Sequence, residues 1–223
     1  MNYLDYLRTD KFPHFWCSGC GNGIVLCAIA RAFEELDLTL ENTVVVTGIG
    51  CWGKADDYVR TNSFHGTHGR ALAFATGIKL ANPSLNVVVL MGDGDGITIG
   101  GNHFIHAARR NVDVTAILVN NFNYGMTGGQ YSGTTPEERI TTTSRYGHIE
   151  EGFDICAVAK AAGARYVARA STENPQQLKN LIRDGIKKQG FACIEAISPC
   201  PTHFGRNNGM RSPAALMRWV NEN

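Results

Sequence analysis

A run of alternating glycine and aspartate, Gly92-Asp93-Gly94-Asp95, is followed 28 residues after Asp93 by the pair Asn120-Asn121. Each segment follows a short apolar run, at 87–91 and 114–119, and a helix-length stretch separates them. This spacing fits a strand, a crossover helix and a parallel strand, so both segments should emerge at the carboxyl edge of one sheet, where open α/β sheets bind ligands. Carboxylate and amide oxygens suit Mg²⁺, and glycines let backbone N–H groups approach a phosphate. The sequence therefore predicts a magnesium–diphosphate site; the alternative is an ordinary turn, which Gly and Asp also favour.

Seven cysteines include a second group of candidate ligands. Cys17 and Cys20 make a CxxC followed by glycine, and Cys51 and Cys200 each follow a predicted strand. Because all four lie at the ends of elements, the fold could bring their thiolates together around zinc or an iron–sulfur cluster. Cysteine spacing alone leaves zinc, a cluster and no metal open, whereas the glycine-rich flank and the lack of a βαβ start argue against a thioredoxin-like redox pair. The remaining three are expected to be buried apolar residues: Cys27, Cys156 and Cys193.

The elements that must position these residues alternate between helical and strand patterns. Sequence patterns predict helices over residues 23–36, 71–80, 104–110, 153–162 and 175–188. Short apolar runs predict strands at 44–46, 87–91, 114–119, 166–168 and 191–197. This alternation predicts an α/β fold with a doubly wound, mostly parallel sheet, in a single domain spanning residues 1–223.

Residues 121–149 interrupt this alternation. They are rich in Gly, Thr, Ser and Tyr, lack periodicity and begin within the Asn pair. Loops of this length inside a compact domain are usually functional or disordered. We therefore expect a substrate-facing loop, with a mobile surface loop as the alternative.

Composition excludes several classes of protein. The chain has 223 residues, 43% of them hydrophobic, and 21 basic against 20 acidic residues give a net charge of +1. This near-neutral charge gives no indication of nucleic-acid binding. No apolar stretch reaches the roughly 18 residues of a membrane span, and residues 1–15 lack the apolar core of a signal peptide. The odd cysteine count favours a reduced, cytoplasmic setting. The absence of a G-x-x-x-x-G-K-[ST] pattern counts against a P-loop nucleotide-binding protein.

A series of short motifs follows in order along nearly the whole chain: Trp16-Cys17-Ser18-Gly19-Cys20-Gly21-Asn22-Gly23, Gly48-Ile49-Gly50-Cys51, His68-Gly69-Arg70-Ala71, Ala75-Thr76-Gly77, Gly92-Asp93-Gly94-Asp95, Gly100-Gly101-Asn102-His103, Asn120-Asn121, Tyr124-Gly125-Met126-Thr127-Gly128-Gly129-Gln130, Thr134-Thr135-Pro136 and Cys200-Pro201-Thr202. Each motif is weak alone. Together they resemble the thiamine-diphosphate-binding β subunit of 2-oxoacid:ferredoxin oxidoreductases, especially those acting on 2-oxoglutarate.

The resemblance implies a thiamine-diphosphate-binding fold with three cofactors: thiamine diphosphate, Mg²⁺ and one [4Fe–4S] cluster. The implied Mg²⁺ ligands are Asp93, the Asn121 side chain and the backbone carbonyl of Asn123. The resemblance, and not the spacing, selects a cluster over zinc, held close to the thiazolium ring by Cys17, Cys20, Cys51 and Cys200. The other expected cofactor-binding residues are His65, Gly66, His68, Gly69, Gly92, Gly94, Asp95, Tyr124, Gly125, Met126 and Thr127, with Gly94 and Asp95 acting through their backbones.

Two of these residues are also candidates for catalysis. His68 could donate a hydrogen bond to the diphosphate or assist proton transfer, and the alternative is structural hydrogen bonding at a helix start. His65 is the weaker candidate for the same role. Met126 should border the substrate by resemblance, and with Thr127 and Gly128 it is expected to select the length of the substrate.

The reaction implied is that of a 2-oxoacid, coenzyme A and oxidised ferredoxin giving acyl-CoA, CO₂ and reduced ferredoxin. The best substrate match is 2-oxoglutarate, with pyruvate or branched-chain 2-oxoacids as the alternative. The implied partner is an α subunit that supplies an activating Glu and substrate contacts, along with γ and ferredoxin-like δ subunits in some members. The chain alone should therefore be inactive. A remote alternative of another class is a zinc-stabilised binding module without catalysis.

Overall fold

The computed structural model describes residues 1–222 and contains one six-stranded sheet. The strands are β1 (Thr43–Thr47), β2 (Asn62–His65), β3 (Asn86–Gly92), β4 (Thr115–Asn120), β5 (Tyr166–Ser171) and β6 (Ala192–Ile197). Their order is β2-β1-β3-β4-β6-β5, and every neighbouring pair is parallel. The predicted α/β fold with a parallel sheet is therefore confirmed.

Residues 1–222 contain six α-helices: α1 (Asn22–Glu35), α2 (Ala71–Ala81), α3 (Gly101–Arg109), α4 (Ile155–Ala161), α5 (Pro175–Lys187) and α6 (Pro213–Glu222). Helices α1 and α5 share one apolar core with strand residues such as Val45, Val88 and Ile117. Helices α2, α3 and α4 share a second core with the alternate residues, such as Val46 and Val89. Because both faces are covered, the central strands are mostly apolar, which is why they stand out as apolar runs in the sequence. No helix within residues 1–222 is long and apolar enough to cross a membrane.

The structure adds elements that the apolar pattern did not predict. Strand β2 is exposed along its whole length, so it carries no buried run to reveal it. Residues Gly94–Ile99 form a π-helical turn between β3 and α3, and α6 is likewise additional. The helix expected over 153–162 begins only at Ile155, because the Asp154 side chain caps it by accepting a hydrogen bond from Ala157 N. Asn111 follows the end of α3 with φ 50°, the left-handed conformation that often terminates a helix.

Candidate functional site

The residues singled out from the sequence gather at the carboxyl edge of the sheet. Strands β3 and β4 are neighbours, and Asn121 N donates to Asp93 Oδ1 at 3.4 Å, so the two polar segments meet as predicted. The CxxC turn before α1 reaches the same edge, where Gly21 N donates to Ser198 Oγ, just beyond β6, at 3.1 Å. Parallel-sheet geometry thus brings residues from distant parts of the chain into one region.

Asp93 is buried and surrounded by hydrogen-bond donors. Ser132 and Thr134 donate their hydroxyls to its Oδ2 at 2.5 and 2.6 Å. Burial raises the pKa of Asp93, and the bonds from Ser132, Thr134 and Asn121 oppose that rise. A carboxylate that is held this way keeps a fixed orientation, and it gains much from a cation that replaces the lost solvation. The residues of the long loop that hold Asp93 were missed from the sequence, because no periodicity marks them.

The Asn pair and Asn123 continue this site along the chain. The Asn121 side-chain oxygen accepts a hydrogen bond from Asn123 N at 3.1 Å, which curls the segment back on itself. Asn120 points the other way, into the protein, where its amide donates to buried Glu195 at 2.8 Å. The predicted choice of Asn121 rather than Asn120 as the metal ligand is therefore compatible with the geometry. The carboxylate of Asp93 and the amide oxygen of Asn121 are the kind of donors that Mg²⁺ takes in proteins.

The Asp95 side chain turns inward and joins three loops. Its Oδ1 lies 2.5 Å from His68 Nδ1 and accepts hydrogen bonds from Gly69 N at 2.6 Å and from Ile49 N at 3.4 Å. The carboxylate therefore fixes the His68 ring and leaves only Nε2 available for a ligand. Sequence reasoning assigned Asp95 a backbone role and gave no signal for this contact.

Two neighbouring glycines make room for these close approaches. A Cβ atom on Gly48 would lie 2.0 Å from Asp95 Oδ2, and one on Gly66 would lie 2.7 Å from the Phe74 ring. His65 uses its Nδ1 within the fold, at 3.0 Å from Thr47 Oγ1 and 3.2 Å from an Asp56 oxygen. These contacts support the structural alternative for His65 more than a role in binding a ligand.

Tyr124 closes the glycine-rich turn from above. Its hydroxyl donates to Gly94 O at 3.1 Å, and a Cβ on Gly94 would lie 2.3 Å from the Tyr124 ring. The ring also stands edge-on to His68, with centroids 6.1 Å apart. Burial raises the pKa of Tyr124, and the charges of Asp93 and Asp95 add to the rise. The predicted cofactor-binding residues Gly94, His68 and Tyr124 therefore form one contiguous surface.

The segment after Tyr124 makes a tight turn at the mouth of the site. Tyr124 N donates to Gln130 O, and Gly129 N donates back to Tyr124 O, both at 2.9 Å. Met126 and Thr127 lie at the exposed tip of this turn, and Met126 is 46% exposed. The site is therefore open where the substrate-selecting residues are predicted.

Four cysteines lie together beside this turn. Cys17 is exposed, and Cys20, Cys51 and Cys200 are half-buried. Burial raises the pKa of the Cys20 thiol to about 12, and the nearby sulfurs of Cys200, Cys51 and Cys17 contribute to that rise. Burial likewise raises the pKa of Cys51 to about 11, with contributions from Cys200 and Cys17. Cys20 is thus influenced by all three other members of the predicted ligand set, and Cys51 by Cys17 and Cys200.

The sulfurs are not spaced as around a single ion. A tetrahedral zinc with bonds of about 2.3 Å would hold its sulfurs about 3.8 Å apart. Among the His, Cys, Asp and Glu side chains of residues 1–222, however, the only three whose ligand atoms lie within 4.8 Å of one another are Asp154, Cys156 and Glu195. A four-iron cluster binds each thiolate to a different iron, which suits the wider spacing. The donor set therefore fits a cluster better than zinc.

Aromatic residues support the cysteine loops. The Trp16 indole donates to the Cys51 carbonyl at 2.6 Å, and its ring lies 5.8 Å from that of Trp52. The loop that carries Cys17 is therefore attached to the loop that carries Cys51. Trp16 was part of a recognised motif, but its spacing alone could not reveal this bond.

A second polar network lies behind Asn120. Arg169 pairs with buried Glu195 at 2.7 Å and with Asp154 at 2.6 Å, beside a cavity of about 810 Å³. The Cys156 thiol donates to Glu195 at 3.4 Å, and burial, together with the Glu195 charge, raises its pKa to about 12. Cys156 is thus a polar partner of Glu195, which corrects the expectation that it acts as a simple apolar residue. Because the Arg169 guanidinium already supplies the positive charge, we do not assign a metal to this group.

Comparison with known proteins gives one consistent family. Residues 47–196 match the family model described as thiamine pyrophosphate enzyme, C-terminal TPP binding domain. The chain is 54% identical over 221 residues to the 2-oxoglutarate synthase subunit KorB of Methanothermobacter marburgensis, covering 99% of this chain and 78% of that protein. It is 43% identical over 202 residues to 2-oxoacid:ferredoxin oxidoreductase 2, subunit beta, of Aeropyrum pernix, covering 91% and 65% of the two chains.

A solved structure agrees with these relatives. It is the 2-oxoglutarate:ferredoxin oxidoreductase from Magnetococcus marinus, with 2-oxoglutarate, coenzyme A and succinyl-CoA bound. The two chains superpose with a TM-score of 0.88 at 40% identity, covering 91% of this chain and 69% of that one.

Proposed function

Since the chain belongs to the family of thiamine-diphosphate-binding β subunits of 2-oxoacid:ferredoxin oxidoreductases, we propose that it takes part in the CoA-dependent oxidative decarboxylation of 2-oxoglutarate to succinyl-CoA. The balanced reaction consumes one 2-oxoacid, one coenzyme A and two oxidised ferredoxins, and it yields acyl-CoA, CO₂, a proton and two reduced ferredoxins. Four relatives carry the name 2-oxoglutarate synthase subunit at 52–54% identity, which favours 2-oxoglutarate over pyruvate or a branched-chain acid.

One observation carries this proposal: the predicted metal loop and the cysteine cluster are adjacent at Gly125. A Cβ on Gly125 would lie 3.5 Å from Asn123 Oδ1, 3.6 Å from Cys51 Sγ and 3.7 Å from Cys200 Sγ. A redox centre on these cysteines would therefore sit directly beside a diphosphate cofactor on the metal loop. A zinc-stabilised binding module would have no need for this proximity.

The donor atoms of the residues assigned to the magnesium–diphosphate group are chemically suited to bind it. We assign Asp93, the Asn121 side chain and the Asn123 carbonyl as Mg²⁺ ligands, with Gly92, Gly94 and Asp95 presenting backbone to the diphosphate. His68, which Asp95 holds by Nδ1, can offer Nε2 to a phosphate oxygen.

When bound, thiamine diphosphate supplies the nucleophilic carbon and the electron sink for decarboxylation, and a [4Fe–4S] cluster supplies a one-electron acceptor. The chain's own part is to bind and to orient. Ser132 and Thr134 hold the Asp93 carboxylate for the metal, and the Asp95 carboxylate holds His68 and the loop before Cys51. Met126, Thr127 and the neighbouring Gly128 border the open mouth where the distal end of the substrate is proposed to lie.

We propose that the site is completed by an α subunit, which supplies the activating Glu and further contacts to the 2-oxoacid and coenzyme A. The designation of relatives as β subunits supports such a partner. Ferredoxin is the proposed electron acceptor, and γ and ferredoxin-like δ subunits are further proposed partners. We treat residues 1–223 as one domain of this assembly, because all the strands described belong to one sheet.

Anaerobic co-production with the α subunit tests the proposal. We expect a brown complex with about four iron and four sulfide per chain, one thiamine diphosphate, and dye reduction that needs both 2-oxoglutarate and coenzyme A. The matched controls are the chain produced alone, which should be inactive, and pyruvate as substrate, which should react more slowly. A colourless complex containing zinc, or equal activity of the chain alone, would contradict the proposal.

A further inference from the structure

Asn123 is a buried side chain whose hydrogen-bonding groups are unused. Its exposed fraction is 2%, and neither Nδ2 nor Oδ1 has a hydrogen-bond partner among the described residues. Asn120, three residues earlier and similarly buried, has partners at both ends of its amide: Nδ2 donates to Glu195, and Oδ1 accepts from Phe122 N and lies 3.0 Å from the Thr134 hydroxyl. Because buried amides are almost always hydrogen-bonded in folded proteins, the free amide of Asn123 indicates a partner that is not part of this chain.

The position of this amide points to that partner. Asn123 Oδ1 and the sulfurs of Cys51 and Cys200 all lie within 4 Å of one point above Gly125. Because neither Oδ1 nor Nδ2 has a partner within residues 1–222, turning the amide by 180° places the Nδ2 donor at this point without breaking a hydrogen bond. The backbone around it is already committed, since Asn123 N donates to Asn121 and Cys200 N donates to Asn121 O. The absence of a side chain at Gly125 therefore leaves a small space in which the Asn123 amide and the two sulfurs face a common occupant.

We propose that the Asn123 side-chain amide donates a hydrogen bond to a sulfur of the cysteine-held cluster and thereby raises its reduction potential. This inference rests on the proposed function, because it needs the cluster that Cys51 and Cys200 would help to hold. An N–H donor stabilises the reduced cluster more than the oxidised one, since the reduced cluster carries one more negative charge. Asn123 is thus a positioning and tuning residue, and its backbone remains a ligand of the proposed Mg²⁺.

This double role has a functional consequence. The backbone of Asn123 belongs to the metal loop and its side chain belongs to the cluster surroundings, only a few bonds apart. Filling the diphosphate site would therefore fix the amide that faces the cluster.

The test uses the anaerobically purified complex with its partner subunits. We would prepare Asn123→Leu, which removes the donor at similar size, and Asn123→Asp, which replaces it with a negative charge at the same shape. The matched control is Asn102→Leu, the same chemical change at an exposed position on α3. The midpoint potential of the cluster would be measured by an EPR-monitored titration, alongside iron, sulfide and thiamine diphosphate affinity.

We expect Asn123→Leu to lower the ratio of reduced to oxidised cluster about tenfold at a fixed potential, which is ~59 mV for a one-electron couple. Asn123→Asp should lower it further, and Asn102→Leu should leave both this ratio and the cofactor affinity unchanged, with iron content kept in all three variants. A full cluster with an unmoved potential in both Asn123 variants would overturn the inference alone. So would a loss of thiamine diphosphate affinity without a change in potential, which would assign the amide to the cofactor. A wild-type complex without iron would overturn the proposed function together with the inference.

Discussion

The imidazole of His68 lies 2.5 Å from the carboxylate of Asp95, in the turn that joins β3 to α3. His68 is predicted to contact the diphosphate through its side chain. The Asp95 side chain, in contrast, is not predicted to contact any ligand. Asp95 also accepts from Gly69 N and Ile49 N, so one carboxylate orders the loops before α2 and after β1. The order of the predicted diphosphate site and that of the Cys51 loop are therefore coupled through Asp95.

Asp95→Asn should weaken cofactor binding without removing any direct ligand. A neutral amide oxygen accepts more weakly than a carboxylate, and the free Asp95 oxygen would become an unpartnered NH₂ group. We expect the affinity for thiamine diphosphate with Mg²⁺ to fall about tenfold, ~1.4 kcal/mol, as measured by calorimetry on the complex. Asp57→Asn, at an exposed carboxylate paired with Lys54, is the control and should leave affinity unchanged. Equal affinity in wild type and Asp95→Asn would argue against this role for Asp95.

Gly48→Ala should perturb the same junction through space alone. The added methyl group would lie 2.0 Å from Asp95 Oδ2, so either the carboxylate or the loop before Cys51 must move. We expect the free energy of unfolding to fall by about 1–3 kcal/mol, the usual cost of overpacking. Gly77→Ala makes the same change within α2, where no atom lies within 4 Å, and should be neutral or stabilise by about 0.5–1 kcal/mol. Denaturant titration would measure both, and a harmless Gly48→Ala would mean that the contact relaxes freely.

Glu195→Gln should make the thiol of Cys156 more reactive. Removing the carboxylate charge lowers the raised pKa of Cys156, so more thiolate forms near pH 8. We expect alkylation by iodoacetamide to rise about tenfold, equivalent to one pKa unit, as followed by mass spectrometry. Cys193, two residues before Glu195 on β6 and fully buried, is the internal control. If Cys193 became reactive to the same degree, the effect would reflect unfolding and not electrostatics.

Much of the site followed from sequence because parallel strands fix where their ends lie. The meeting of the Gly-Asp run with Asn121 needs only one crossover between neighbouring strands, and the structure places them as predicted. The contacts of Ser132 and Thr134 with Asp93 could not be predicted, because an irregular loop of unknown path separates them by 39 and 41 residues. Strand β2 escaped prediction for a related reason: it is exposed, and apolar burial is what reveals a strand.

The ion pairs of Glu35 should make stability depend on acid pH. Lys179 donates a hydrogen bond that lowers the pKa of Glu35, and Arg183 adds a second at 3.1 Å, which joins α1 to α5. Because the folded pKa lies below the unfolded value of about 4.3, the stabilisation is present above that pH and is lost as pH falls through the folded pKa. We expect Glu35→Gln to lower the free energy of unfolding by about 1 kcal/mol at pH 7, since the carboxylate is about a third exposed. The difference in the free energy of unfolding between wild type and Glu35→Gln should disappear as the pH falls below about 4. A difference that stays constant with pH would contradict an origin in these ion pairs.

Removing the hydroxyl groups that hold Asp93 should weaken Mg²⁺ binding more than it weakens the fold. Thr134→Val keeps the shape of the side chain but loses the bonds to Asp93 and Asn120, and Ser132→Ala loses a bond to the same carboxylate oxygen. The carboxylate is then less well oriented and its buried charge less well solvated, and altered support of a ligand typically costs 10–100-fold in metal affinity. We expect about a tenfold loss for each variant, measured as the Mg²⁺ concentration that half-saturates cofactor binding. Thr141→Val is the matched control, because Thr141 is buried in the same loop and its hydroxyl pairs with Ser144 Oγ at 2.6 Å and not with Asp93. It should reduce stability by about 1 kcal/mol, as the other two variants do, while leaving Mg²⁺ affinity nearly intact. An equal loss of Mg²⁺ affinity in all three variants would mean that the loop as a whole, and not the two hydroxyl groups on Asp93, maintains the site.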